Sequence, residues 1–160
     1  MDMARAGAGG RGGGGRKPGG LTPEEQAEAE LRDVMKHPAN AICADCSAPK
    51  PRFASITLAI FLCNRCYGLH RGVGAHVTRT KCVALDRWSL LEVQRMRRVG
   101  NSVAAAYWER LSLLFPSCNV PAEYARPTPE SCNDVVEKWI RDKYEKKLFC
   151  SPDSSPPSFS

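Results

Sequence analysis

The chain has 160 residues, 42% hydrophobic and 25% charged, with eight cysteines and a net charge of +6. That suffices for one domain of ordinary size with its own core and is too apolar for a wholly disordered chain. No apolar run reaches the roughly eighteen residues of a transmembrane helix, and MDMARAGAGGRGGGGRKPGG has positive charge without an apolar core, so no signal peptide is expected. Met1 is not followed by glycine, so N-myristoylation is not expected either.

Residues 1–20 are Gly/Arg low complexity and are expected to be disordered, with order running over 21–148. TPEE at 22–25 is a capping box with proline at the first helical position, and Leu21 is placed to act as its hydrophobic staple. Ala27, Leu31, Val34 and Met35 give the following helix an apolar stripe, and the helix is expected to end near His37-Pro38. SITLAIFLC reads as an apolar strand and turn, followed by a short helix after Cys66 that reaches Gly72. TRTKCVALD alternates as a strand does.

SLLE at 89–92 is a second capping box, opening a helix that stops at Gly100. Asn101 is expected to cap the next helix, SVAAAYWERLSLLF, which Pro116 closes. In PESCNDVVEKWIRDKYEKKL a last helix places Val135, Val136, Trp139, Ile140 and Tyr144 on one face. The Ser/Pro-rich residues 149–160 are expected to be a disordered tail. The predicted class is α/β but mostly helical, a short sheet surrounded by helices and built on a zinc knuckle.

Four of the eight cysteines form two Cys-x-x-Cys pairs, Cys43 with Cys46 and Cys63 with Cys66, separated by sixteen residues. With no secretion signal, this spacing favours a metal site in a reducing, cytosolic or nuclear compartment over a disulfide framework. Each Cys-x-x-Cys turn presents two sulfurs to one ion, and four thiolates match a tetrahedral structural zinc with no open position for water. Cys82, Cys118, Cys132 and Cys150 are scattered singly and read as buried or free thiols. His70 and His76 with Cys82 lack paired ligand spacing, so each histidine reads as an ordinary core or surface residue.

Charge is uneven. Residues 65–98 hold eight basic side chains against Asp86 and Glu92, whereas residues 24–33 are acidic. A basic face suits phosphates, nucleic acid or an anionic membrane, and equally a solvated surface. Arg71 follows Cys66 by five positions, which turns it away from the metal side of the helix while His70 lies on that side. Spacing alone makes Arg71 an ordinary surface arginine.

The wider pattern says more. Cys-x2-Cys-x16-Cys-x2-Cys-x4-Arg, with FASITLAIFLCNRCYGLHR leading into LDRW and then GN, resembles the GTPase-activating domain of the Arf GTPase-activating proteins. The resemblance covers about residues 25–148, and PAEYARP with VEKWIRDKYEKKLF is similar to the small stromal membrane-associated protein branch. It implies that Cys43, Cys46, Cys63 and Cys66 hold structural Zn2+ and that Arg71 is a catalytic arginine finger. It further implies a GTP-bound Arf-family GTPase as partner and peripheral recruitment from the cytoplasm to membranes in vesicle traffic, and the basic run from Arg79 to Arg98 would then face either the anionic membrane or an acidic part of the GTPase. The chain would then be an activator working in trans, with no substrate of its own.

Phe53 stands where the family has Trp, Thr57 for Asn, Ala59 for Gly, Ala75 for Val and Ala105 for Asn. Two other readings stay open at this level. One is a nucleic-acid-binding zinc module, disfavoured because only Lys50 and Arg52 lie between the cysteine pairs and no helix face shows a reading row of Arg, Asn and Gln. The other is a catalytically silent scaffold that keeps the fold to bind a partner.

Overall fold

The computed structural model describes residues 19–115, 121–151, 153 and 155–157. Its elements run α1 (Pro23–Val34), a 3-10 turn (Pro38–Ala41), β1 (Phe53–Ser55), β2 (Ile60–Leu62), α2 (Asn64–Val73), β3 (Thr80–Cys82), α3 (Leu90–Arg98), α4 (Gly100–Trp108), α5 (Arg110–Leu113), a second 3-10 turn (Ala122–Tyr124), α6 (Asn133–Ile140) and a π-helical turn (Arg141–Glu145). The sheet has three antiparallel strands in the order β2-β1-β3, with Phe53 of the central strand opposite Leu62 on one side and Cys82 on the other. The class is as expected, a small sheet among helices. The apolar stretch SITLAIFLC resolves into the end of β1, a turn at 56–59, and β2, whose three residues are all buried.

Both capping boxes form. Thr22 Oγ1 accepts from the Glu25 amide while the Glu25 carboxylate accepts from the Thr22 amide, and Ser89 and Glu92 repeat the exchange. Glu92 also receives Lys81 at 2.7 Å, and although partial burial pushes its carboxyl up, that ammonium holds it below the ordinary carboxylate range. Leu21 remains 63% exposed, so it does not staple α1. Ala27, Leu31 and Val34 are buried as expected, and α1 packs on α3 through them and Val93 and Met96.

Asn101 departs from its expected role. It lies in the first turn of α4, buried, and its side chain is a clasp and not a cap. Its Oδ1 accepts from the Phe61 amide of β2 at 2.7 Å, and its Nδ2 donates to the carbonyls of Ile42 at 2.7 Å and Ala39 at 3.1 Å. The Asn101 amide in turn donates to Asn40 Oδ1 at 2.9 Å, while Asn40 Nδ2 donates to the Val34 carbonyl at the end of α1. Gly100 makes this approach practicable: its φ is +62°, and a Cβ there would sit 3.1 Å from Asn40 Oδ1.

Three further expectations need correcting. The helix read over SVAAAYWERLSLLF breaks at Glu109, which turns its carboxylate into the core and leaves α5 as a separate piece. Val135 is 52% exposed, so the buried face of the last helix is Val136, Trp139, Ile140 and Tyr144 without it. Order does not stop at 148: Phe149 is 1% exposed, stacks on Trp139 at 4.7 Å, and accepts the Leu111 amide on its carbonyl. The expected disorder of 1–18, the stop at Pro116, the thiol of Cys118 and tail positions 152, 154 and 158–160 lie outside the described residues.

Removing the clasp should be expensive, because Asn101→Ala leaves the buried Phe61 amide and two carbonyls without their partner. We expect a loss of about 2–4 kcal/mol in urea denaturation. A loss within experimental error of zero would mean that water replaces the amide side chain.

Candidate functional site

The first cysteine pair sits in a tight turn closed by Cys43 N–H to the Ala48 carbonyl (2.7 Å) and Ser47 N–H to the Cys43 carbonyl (3.1 Å). The turn docks on β2 through the Ala44 amide and the Phe61 carbonyl. The second pair belongs to α2, which begins at Asn64, earlier than read from the sequence, because Cys63 is its N-cap and accepts the Cys66 amide on sulfur at 3.4 Å. Helix start and candidate metal ligand are therefore one residue.

All four sulfurs, of Cys43, Cys46, Cys63 and Cys66, lie within 4.8 Å of one another, and Cys46 and Cys63 are 3.6 Å apart. A zinc–sulfur bond of about 2.3 Å sets a tetrahedral edge of about 3.8 Å, so the donor set and its spacing fit zinc. The close contact also splits the acidities of the four thiols. Hydrogen bonding with Cys43 takes the Cys63 thiol down to about 4 and pushes Cys46 up to about 12, while Cys66 is raised for the same reason. Sulfurs this close cannot all be thiolates unless a cation lies among them. Arg65 adds positive charge from outside: it hydrogen-bonds Cys46 and reaches the Ser131 and Thr128 carbonyls.

Between Cys43 and Cys46 stands Asp45, fully buried, which nothing in the sequence marks as special. It accepts from His70 Nε2 at 2.7 Å, Tyr144 OH at 2.7 Å and Lys143 Nζ at 3.1 Å. Burial works to raise its pKa, but the Lys143 ammonium and the His70 hydrogen bond hold it below the ordinary carboxylate range. Lys143 also meets Glu109 at 3.0 Å, and Arg126 closes the ring on Glu109 and on the carbonyls of Cys43 and Ala44. Burial and the Asp45 charge raise the Tyr144 hydroxyl well above its usual value, which keeps it a donor.

His70 is a core histidine. Its second nitrogen lies 3.0 Å from Thr78 Oγ1, which donates to Ser55 Oγ at 2.8 Å. With both ring nitrogens engaged it joins no ligand group with His76 and Cys82, and among the described residues the four cysteines form the one candidate metal cluster. Cys82, Cys132 and Cys150 are free thiols.

Arg71 occupies the last turn of α2, one position after His70, and points outward. No hydrogen bond or ion pair engages its guanidinium among the described residues; the Tyr67 ring lies beneath it at 5.7 Å. Arg71, Ala75, Thr78, Arg79 and Thr80 line an open cleft of about 280 Å³. The Arg79 backbone there is pinned from both sides, its amide to Thr57 Oγ1 at 3.0 Å and its carbonyl to the Ile56 amide at 2.8 Å.

Residues 28–153 match the ArfGap family model, "Putative GTPase activating protein for Arf". The chain belongs to the ArfGap family. Stromal membrane-associated protein 1 of Homo sapiens is 38% identical over 125 residues, 78% of this chain and 24% of that protein. ADP-ribosylation factor GTPase-activating protein AGD12 of Arabidopsis thaliana is 34% identical over 134 residues, 83% of this chain and 37% of the plant protein. This ArfGap chain thus spans between a quarter and two fifths of these curated relatives. Among solved structures, the ArfGap domain of HIV-1 Rev binding protein superposes with a TM-score of 0.68 at 26% identity, covering 81% of this chain and 91% of that one. The solution structure of the ArfGap domain of human RIP gives 0.65 at 25% identity, covering 95% and 98%.

A metal in this position cross-links two turns that otherwise share only short hydrogen bonds, and structural zinc contributes about 10–16 kcal/mol of apparent binding energy, more than a domain's net stability. Chelation, or Cys63→Ala, should therefore abolish the cooperative thermal transition followed by circular dichroism. Melting indistinguishable from the metal-loaded protein would overturn the structural-zinc assignment.

Proposed function

We propose that this ArfGap domain stimulates GTP hydrolysis on a GTP-bound Arf-family GTPase by inserting Arg71 beside the transferring phosphate. The observation that carries this reading is the state of Arg71: exposed, without an ion pair among the described residues, and on a helix whose first turn holds two of the four clustered cysteines. In phosphoryl transfer, negative charge on the γ-phosphate oxygens and the leaving group must be met by preorganised positive charge, and an arginine supplied in trans contributes about 10³–10⁵ in rate. A planar guanidinium offers two parallel N–H donors to two oxygens, which an ammonium does not.

Zinc bound by Cys43, Cys46, Cys63 and Cys66 would supply rigidity and no chemistry at phosphate, since four protein sulfurs leave no open position. The division of labour follows from α2 itself. Its buried side anchors Cys66, His70 and Val73, and its exposed side presents Arg71. His70, bonded to Asp45, fixes the rotation of the helix one residue before the arginine.

Single-turnover hydrolysis on GTP-loaded Arf tests the reading. Arg71→Lys should reduce the stimulated rate by at least about a hundredfold with a nearly unchanged melting temperature, because the side chain is solvent-facing. Full activity in the variant would remove Arg71 from the mechanism, and inactivity of the wild type would favour a silent scaffold.

We further propose that the domain works in the cytoplasm at an anionic membrane surface. Of the basic residues at 79–98, Lys81 is taken by Glu92 at 2.7 Å and Arg97 by Asp33 at 3.0 Å, but Arg79, Arg87 and Arg98 are exposed and form no ion pair among the described residues. Such charges attract anionic headgroups over a Debye length of about 8 Å in physiological salt. Co-sedimentation with phosphatidylserine-containing vesicles should weaken as salt rises and as these three arginines are replaced by alanine. Binding that ignores salt, or no binding at low salt, would sink this proposal.

A further inference from the structure

An exposed arginine on a long stem has many rotamers to lose before it can meet a phosphate, and loose placement forfeits much of what a catalytic charge can give. Arg71 has an aromatic neighbour. Its Cζ lies 5.7 Å from the centroid of the Tyr67 ring, one helical turn earlier on α2, the i,i+4 spacing that stacks side chains along one face. Tyr67 is itself half-buried and stacked on Phe53, with centroids 4.1 Å apart and planes at 18°. Phe53 belongs to the central strand and is paired on both sides, so the series of planar groups begins in the most constrained part of the sheet.

From this geometry we infer that Tyr67 is a positioning residue for Arg71: its ring, backed by Phe53, confines the guanidinium to the side of α2 that opens on the Arg79 cleft. The inference rests on the proposed role of Arg71. Packing against Phe53 alone would need only a ring in the core; here the ring also lies under the Arg71 guanidinium, which forms no hydrogen bond or ion pair among the described residues. The contact requires the aromatic face and not the hydroxyl, which separates Tyr67→Phe from Tyr67→Leu.

The test uses zinc-loaded protein and two readouts. One is the ¹⁵N relaxation order parameter of the Arg71 Nε–H group, which reports confinement without any GTPase present. The other is single-turnover hydrolysis on GTP-loaded Arf at saturating activator, with the half-saturating activator concentration measured alongside. Tyr67→Leu should lower the Arg71 order parameter and reduce the saturating rate about two- to fivefold, the size of an exposed cation–π contact, with half-saturation unchanged. Tyr67→Phe should match wild type in both readouts, and Tyr67→Leu should have no further effect on an Arg71→Ala background. An unchanged order parameter in Tyr67→Leu overturns the inference, as does an equal rate loss in the Arg71→Ala background, which would mark a general packing role. If Arg71→Ala alone is inactive while Tyr67→Leu keeps the wild-type rate, the finger stands and the positioning role falls. If Arg71→Ala hydrolyses at the wild-type rate, both fall together.

Discussion

One buried carboxylate holds three parts of this domain together. Asp45 lies between two cysteines of the metal cluster, touches His70 on α2, and receives Lys143 and Tyr144 from the C-terminal helical turn. Taking a carboxylate out of water is costly unless charge and hydrogen bonds compensate. Here one ammonium faces two acids, Asp45 and Glu109, and the Arg126 guanidinium beside Glu109 completes the balance. Each partner comes from a different segment, so the charge balance exists only in the folded arrangement. The rotation of α2, and with it the outward aim of Arg71, is tied to this group through His70 as well as to the sulfurs.

Local rules were the readable part. Thr22 with Glu25 and Ser89 with Glu92 are self-contained over four residues, and both boxes form. The paired cysteines likewise announce a metal geometry that spacing alone can test, and the structure brings their sulfurs together. Asn101 shows where that reading ends. After a glycine, an asparagine looks like a cap, and only distant partners, the Phe61 amide and the Ala39 and Ile42 carbonyls, explain its burial. Asp45, Lys143 and Glu109 are harder still, because charged residues in loops and helices ordinarily face water and no short-range pattern separates the exceptions. Val135 lies on the edge of the α6 stripe, a helical step of about 100° from the buried Val136, and Phe149 follows a π-helical turn that interrupts the period.

The substitutions relative to the family pattern are accommodated unequally. Phe53 retains an aromatic face in the position of a tryptophan and uses it to stack on Tyr67. Thr57 replaces an amide with a hydroxyl that still accepts the Arg79 amide. Ala59 is less comfortable: it is buried with a φ of +55°, a left-handed conformation that costs a residue with a Cβ about 1–2 kcal/mol and that glycine would adopt freely. The hairpin therefore carries local strain beside the second cysteine pair, held by the burial of all three β2 residues.

The wide sequence separation of the Asp45 contacts bears on how the chain is made. The four sulfur ligands fall within residues 43–66, whereas Lys143 and Tyr144 lie 98 and 99 positions beyond Asp45. A ribosome releasing roughly 5–20 residues per second delivers the whole metal site several seconds before it delivers the counter-ion. During that interval all four sulfurs are present, but Asp45 has no ammonium to meet. The cysteine cluster is thus local in sequence and the ionic lock is not: a chain delivered only to residue 142 carries every sulfur of the cluster but neither Lys143 nor Tyr144 to face Asp45.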